Sequence, residues 1–529
     1  MNKKTSKIIL ILIIITAFLL RFIKLNEYPP SLNWDEISHG YNAYSVLETS
    51  KDEWGTKLPL IFRAYGDYKL PLYIYGSIPL IAFLGLNPIS VRLLSVFSGT
   101  FLVFIIYLIV KKITPKNKYI PLIAASLIAF SPITIFLSRI ALEANLWLTL
   151  FFLSIYFLIS KKYSLSSLFY ALGLLSYNSS RVILPFYLLL LIILMIKDKY
   201  KFFKNKNYLK FTPLLIVLLI VAWQMLDQSG QARYQWVSLL DQGSINRINE
   251  LRQVYPRFLV NKATFFLFYA AKNYLSHFNP SYLFFKGGSH YQFNIPNFYF
   301  FSPFLIPFLL LGIINLFRKI KDKNIILILL FCLLISPIPS AITRDAPHVL
   351  RSITFLPTIA ILISLAFISL NKKLSKIIFF VLLAILLLGQ KVFWDQYKNY
   401  SIEYSSSWQY GYRQTIDFIQ ENYNQYDQII FTKKYGEAHE FILFYWPWEA
   451  LDYQDKEKDW DYHATWYWVN SFDKFTFIND WEIKEKTQDL DSKTLLITSP
   501  DNYNEDNTKL IKTINFLNQE PAFQILEIN

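Results

Sequence analysis

Two carboxylates stand side by side at Asp35–Glu36. The stretch around them, 33–69, also carries His39, Asp67, Lys69 and a run of aromatics, inside a chain that is otherwise mostly apolar. Paired acids at a membrane surface can act as a general base toward an attacking hydroxyl, or hold a cation. The same residues also fit a helix start. Asn33 is a good N-cap, Asn33-x-x-Glu36 reads as a capping box, and Asp35 complements the helix dipole. Ile37, Tyr41, Tyr44 and Leu47 then recur at helical spacing. Both readings stay open at this point.

The other charges with chemical potential sit in short connections between apolar runs. Ser138–Asn145 holds Arg139 and Glu143 four residues apart, spaced either for a turn-closing ion pair or for a site. Tyr177–Arg181 offers one arginine, which either snorkels or binds. Thr343–Arg351 gathers Arg344, Asp345, His348 and Arg351, and Gly66–Pro71 supplies Asp67 and Lys69. Charges at the ends of membrane helices cost several kcal/mol unless paired or hydrated, so they are functional candidates. Lys69, Arg139, Arg181, Arg344, His348 and Arg351 together would suit an anion, and a phosphate at a membrane surface is the natural ligand. Asp35, Glu36 or Glu143 opposite such a site could take a proton or hold a divalent metal ion. No Walker A sequence, helix-opening GxGxxG, HExxH or GxSxG occurs, so no nucleotide is expected.

These residues must be positioned by membrane helices. Of the 529 residues 53% are hydrophobic and 17% charged, the balance of a polytopic membrane protein. Apolar runs at 8–20, 89–110, 119–137, 144–159, 165–177, 182–196, 211–225, 301–317, 325–342, 353–370 and 377–392 predict eleven spans. Basic connections at 111–118, 161–162, 197–210, 318–323 and 372–376 mark the cytoplasmic side together with the N-terminus. The first outer loop, 25–88, a large outer loop, 226–300, and the tail then face outward. Within the first loop, 70–86 reads as a juxtamembrane segment because Pro71 and Pro79 interrupt it. The net charge of +15 conceals a tail, 396–529, with 23 acids and 12 bases, so the remainder carries +26. That excess is a topology signal and not a nucleic-acid footprint. The tail reads as a soluble α/β domain, with a helix over 413–423 and buried strands at 428–432, 494–498 and 523–528. The single cysteine, Cys332, excludes an internal disulfide.

At these motifs the chain resembles the GT-C glycosyltransferases of the protein O-mannosyltransferase and aminoarabinose transferase type, the dolichyl-phosphate-mannose-protein mannosyltransferase family. The resemblance rests on Asp35–Glu36, the DYKLP motif at Asp67–Pro71, the SRxxLE turn at 138–143, the YxxxR turn at 177–181 and the RDxPHxxR loop at 344–351. It covers residues 1–392 and implies a membrane-embedded GT-C module followed by the extracytoplasmic domain 396–529. The implied activity is inverting transfer of a sugar from a polyprenyl-phosphate carrier to a lipid, glycan or protein acceptor on the outer face of a cell membrane. Carried over residue by residue, Asp35 is the base and Glu36 orients the acceptor. Lys69 and the arginines hold the lipid phosphate, and Asp67 stands where some members place a metal-binding acid. Two other classes compete: a transporter or flippase of a lipid-linked or anionic solute, and a non-catalytic receptor or scaffold. The first calls for charges at the bilayer midplane and internal repeats, and the sequence has neither.

Overall fold

The computed structural model describes residues 3–226, 236–288, 290–463, 466–488, 490 and 492–528. These form two compact units, each built from two stretches of chain. A helical unit comprises Met1–Ile23 and Ser95–Asp395, and a sheet unit comprises Lys24–Leu94 and Gln396–Asn529. This differs from the expected division, in which the loop 25–88 belonged with the membrane module and the tail stood alone.

In the helical unit each of the eleven expected runs is helical. Six described helices are long and apolar enough to cross a membrane: Lys4–Phe22, Pro88–Ile113, Ser179–Lys197, Lys206–Leu226, Lys323–Ala341 and Lys372–Glu403. The run at 119–137 is broken. Pro132 has no N–H to continue a helix, and Tyr119–Ala129 meets Pro132–Ser138 at 57°. If that bent pair is one span the count is seven, against the eleven expected. The remaining runs form shorter helices, Glu143–Ile159, Tyr163–Leu174, Ile306–Lys319 and Phe355–Leu365. The loop 226–300, expected to face outward, contains Gln242–Leu251 and Lys262–Ser276, while its residues 227–235 lie outside the described ones. The protein is a polytopic helical membrane protein.

Packing within this unit depends on small and polar contacts as well as apolar ones. Gly312 lets Ile306–Lys319 press against Phe355–Leu365; a Cβ there would come within 1.8 Å of the Leu362 carbonyl oxygen. One turn further on, the Asn315 side-chain amide donates to the Leu365 and Ala366 carbonyls, each at 3.1 Å. Close backbone approach and interhelical hydrogen bonds replace the hydrophobic drive that lipid does not supply.

In the sheet unit, residues 62–69 form a hairpin, β1 (Phe62–Ala64) and β2 (Asp67–Lys69), followed by a 14-residue helix, Pro71–Leu84. The tail forms a seven-stranded sheet from β3 (Gln428–Thr432), β4 (Lys458–His463), β5 (Trp466–Phe472), β6 (Phe475–Ile478), β7 (Thr494–Thr498), β8 (Thr508–Asn515) and β9 (Pro521–Ile528). Their order is β4-β5-β6-β3-β7-β9-β8. The central β3 is parallel to both β6 and β7, and the outer strands pair antiparallel. The apolar β3 and β7 lie in the middle, buried on both faces, as parallel strands require. The helix Trp34–Thr49 packs on Ala438–Tyr445 and Ala450–Asp455. Its Tyr41 hydroxyl donates to the Trp448 carbonyl, and the Gln454 amide reaches Ser45, Thr49 and the Asp52 carbonyl. Loop and tail therefore share one core.

Candidate active site

Within the sheet unit the helix Trp34–Thr49 begins as its sequence dictates. Asn33 caps it, accepting from the Glu36 N–H at 3.0 Å, and Glu36 Oε2 accepts from the Asn33 N–H at 3.2 Å. The capping box and the Asp–Glu pair are thus the same residues, and the helix separates their roles. Glu36 points inward and takes a two-pronged contact from Arg92, Nε to Oε1 at 2.8 Å and Nη2 to Oε2 at 2.9 Å. Both side chains are 1% exposed. Arg92 also donates to the Leu25, Pro29 and Ser31 carbonyls, so this ion pair ties the loop's entry to the helix start. Glu36, expected beside the acceptor, is instead enclosed by a cap and an arginine.

Asp35, one residue earlier, keeps 31% of its side chain open and accepts from Lys69 Nζ at 2.5 Å. Lys69 ends β2 and is buried along its length, so its ammonium is fixed against the partly exposed acid. The hairpin register, Phe62 opposite Lys69 and Ala64 opposite Asp67, leaves Tyr65–Gly66 as a two-residue turn. Tyr65 takes φ +49° there, the left-handed region that non-glycine residues enter at a cost. Its hydroxyl approaches the Trp34 carbonyl at 2.6 Å and Glu440 Oε2 at 2.7 Å. Trp466 stacks on its ring at 5.4 Å, and the Tyr467 N–H donates to its carbonyl at 3.1 Å.

Behind this lies a buried set of acids that the sequence reading did not single out. Glu53 accepts from the Asn42 amide through Oε1. Its other oxygen is buried with no hydrogen-bond partner among the described residues. Burial pushes Glu53 up to about 8 and Glu437 up to about 7. Glu440 rises well above the usual carboxyl range, first by burial and then through the charge of Glu53. Burial also lowers His439 to about 3, so its contact with Glu437 at 3.5 Å joins a neutral imidazole to a carboxyl. The available signal was an acid–histidine–acid run, Glu437–Glu440, opening an otherwise apolar helix.

Within the helical unit the arginine turns divide. Arg139 Nη1 donates to the carbonyls of Leu20, Arg21 and Ile23, closing the C-terminal end of Lys3–Phe22. Its guanidinium lies 4.9 Å from the Trp394 ring centre. Glu143 opens the helix Glu143–Ile159, and its carbonyl accepts from Ser176. In contrast, Arg181 and Arg351 line the same cavity of about 200 Å³, with Tyr177, Asn178, Thr343 and the apolar Val182, Met225 and Ile342. Arg181 donates to Gln224, and Arg351 to Thr343 Oγ1 at 3.0 Å and the Arg344 carbonyl at 2.6 Å. Arg344 lies half-exposed near Asp345 and the Trp236 ring, while the His348 N–H donates to Ser340 at 2.8 Å. Two of the predicted turns, 177–181 and 344–351, thus line one cavity, while Lys69, Arg139, Arg344 and His348 do not line it.

The fit of a metal is poor. Asp67 is half-buried and accepts from the Tyr68 N–H at 2.7 Å. Among the described residues no three His, Cys, Asp or Glu side chains gather as a metal would need.

No family model and no curated protein matches the sequence. Solved structures do. The crystal structure of ArnT from Cupriavidus metallidurans bound to undecaprenyl phosphate aligns at TM-score 0.53 and 10% identity, covering 98% of this chain and 97% of that one. The same protein in its apo state aligns at TM-score 0.53 and 9% identity, over 99% and 98%. The archaeal oligosaccharyltransferase AglB from Archaeoglobus fulgidus aligns at TM-score 0.46 and 12% identity, over 83% and 63%, and adds nothing to the assignment. At such low identity the likeness speaks for architecture, and it runs the length of both chains: the protein has the GT-C fold.

Proposed function

We propose that the protein is an inverting glycosyltransferase that moves a sugar from a polyprenyl-phosphate carrier to an acceptor hydroxyl at the outer membrane face. The observation that carries this reading is the Asp35–Lys69 pair, a partly exposed carboxylate held at 2.5 Å by a buried ammonium. Asp35 takes the proton of the acceptor hydroxyl as that oxygen attacks the anomeric carbon from the side opposite the phosphate. The bond from that carbon to the phosphate oxygen breaks, and its electron pair leaves with the phosphate. Lys69 holds Asp35 in place and supplies positive charge as the phosphate departs. Preplaced cations of this kind stabilise the transition state more than the ground state. Glu36 holds the helix start through Arg92 and touches no substrate. The Arg181–Arg351 cavity of the helical unit, with its apolar wall, suits the anionic head of a polyprenyl phosphate. Arg139 serves the fold. No step is routed through a metal.

Undecaprenyl phosphate is the first ligand to test, since a protein of this fold is known with it bound. Each of Arg351→Ala and Lys69→Ala removes a charge-assisted contact, a loss of roughly 1.5–3 kcal/mol, and should weaken undecaprenyl phosphate binding about tenfold or more. Mass spectrometry of lipid co-purified with the full chain should find a polyprenyl phosphate or its glycosylated form. Unchanged affinity in both variants would sink the reading.

A further inference from the structure

The contacts of Tyr65 do not balance with the protons ordinarily assigned to them. A phenol has one proton, and a main-chain carbonyl only accepts. If Tyr65 donates to the Trp34 carbonyl at 2.6 Å, it has no proton left for Glu440 Oε2 at 2.7 Å. If it donates to an ionised Glu440, two lone-pair-bearing oxygens face each other at 2.6 Å instead. Both contacts close only when a second proton is present, and of these groups only the carboxyl can bring it.

We propose that Glu440 is a neutral carboxylic acid that donates to Tyr65 and, through Tyr65, positions the first turn of the helix Trp34–Thr49 and the Asp35 it carries. The inference rests on the reading of Asp35 as the base and makes Glu440 and Tyr65 positioning residues contributed on both sides of the shared core. The surroundings favour the neutral form. Glu440 is 2% exposed. The acids Glu53 and Glu437 act on it, and Tyr65, Tyr41 and Tyr453 also lie in its field. Its neighbour on the same helix, His439, is held neutral by burial. Lys69, a cation acting on it, is paired with Asp35. The left-handed Tyr65 backbone, its stack on Trp466 and its bond from Tyr467 hold the phenol where this donation is needed.

The test uses the full chain in detergent or nanodiscs as wild type, Glu440→Gln, Glu440→Ala and Tyr65→Phe. Glutamine keeps the donor and cannot ionise. Infrared difference spectra between wild type and Glu440→Gln at pH 6 should lose one carboxylic-acid carbonyl band. Amide exchange over residues 35–38 should stay at the wild-type rate in Glu440→Gln and rise at least tenfold in Tyr65→Phe and Glu440→Ala. In transfer from undecaprenyl-phosphate-linked sugars, Glu440→Gln should keep kcat within a few fold. It should also remove an alkaline loss of kcat present in the wild type, while Glu440→Ala lowers kcat with little change in KM. No lost acid band, or exchange in Glu440→Gln as fast as in Glu440→Ala, overturns the proposal; these two readouts suffice if Glu440→Ala does not fold. Spectra and exchange as expected with kcat unmoved by Glu440→Ala would instead remove Asp35 as the base.

Discussion

At the scale of single residues, the neighbours Asp35 and Glu36 divide two tasks that a sequence cannot tell apart. Helix geometry turns one outward to Lys69 and the other inward to Arg92. Asp35→Asn keeps size and can still sit near the N-terminus, but it cannot take up a proton. Turnover should fall roughly 10²–10⁴-fold, with melting temperature and undecaprenyl phosphate affinity nearly unchanged. Asn33→Ala removes the cap and should cost about 0.5–2 kcal/mol of stability, read by thermal denaturation, with only a secondary effect on rate. Near-normal turnover in Asp35→Asn would move the base elsewhere. The capping box and the acid pair were both legible in the sequence, because they depend on residues three apart. Arg92 was not, since it lies 56 residues from Glu36 inside an apolar run and only the fold brings it there. The same limit hid Tyr65, Glu437 and Glu440.

Among the elements, each apolar run marked a helix of the helical unit, whereas Gln242–Leu251 and Lys262–Ser276 lie outside those runs. Burial in lipid and burial in protein select the same residues. For that reason the runs did not say which helices are long enough to span. Proline breaks and short segments such as Tyr163–Leu174 need coordinates. In the tail, β3 and β7 were legible as short apolar strands and β9 in part, starting two residues before the expected 523. The strands β4, β5, β6 and β8 were not. β4 and β8 are exposed edge strands whose charged and aromatic residues lack a buried face. One element contact is sharply testable. Gly312→Ala places a methyl against the Leu362 backbone, which cannot rotate away, so Ile306–Lys319 must move off Phe355–Leu365. Thermal denaturation in detergent should show a loss of about 1–3 kcal/mol, whereas Gly389→Ala, with open space around it, should be neutral or stabilising.

For the whole molecule, charge counts predict an orientation that can be probed directly. Cysteines at Ser31 and Ser492 should react with an impermeant thiol reagent added outside cells, and one at Ser164 should not; the reverse pattern would invert the topology. The buried acids set a second global property. Folding raises Glu437 to about 7 and Glu53 to about 8, whereas an unfolded chain releases such protons near pH 4.3. Between pH 4.3 and these values the folded state holds protons that the unfolded state has given up. Stability is therefore fully present below that window and falls as pH rises through it, by up to about 1.4 kcal/mol per pH unit for each proton held. The melting temperature should be higher at pH 5.5 than at pH 8, and Glu437→Gln should flatten the slope. A melting temperature that rises with pH across that range would contradict the burial of these acids.

The sheet unit is assembled from residues 24–94 and 396–529, with about 300 residues of helical unit between them. At 5–20 residues per second, a ribosome needs roughly 15–60 s to make that interval. The helix bearing Asp35 therefore waits, without the tail partners of Tyr41, until most of the chain exists. Biogenesis inherits from this a long period in which a greasy, acid-bearing loop is open to proteases and chaperones. The seven-stranded sheet cannot be completed before its last strand is made.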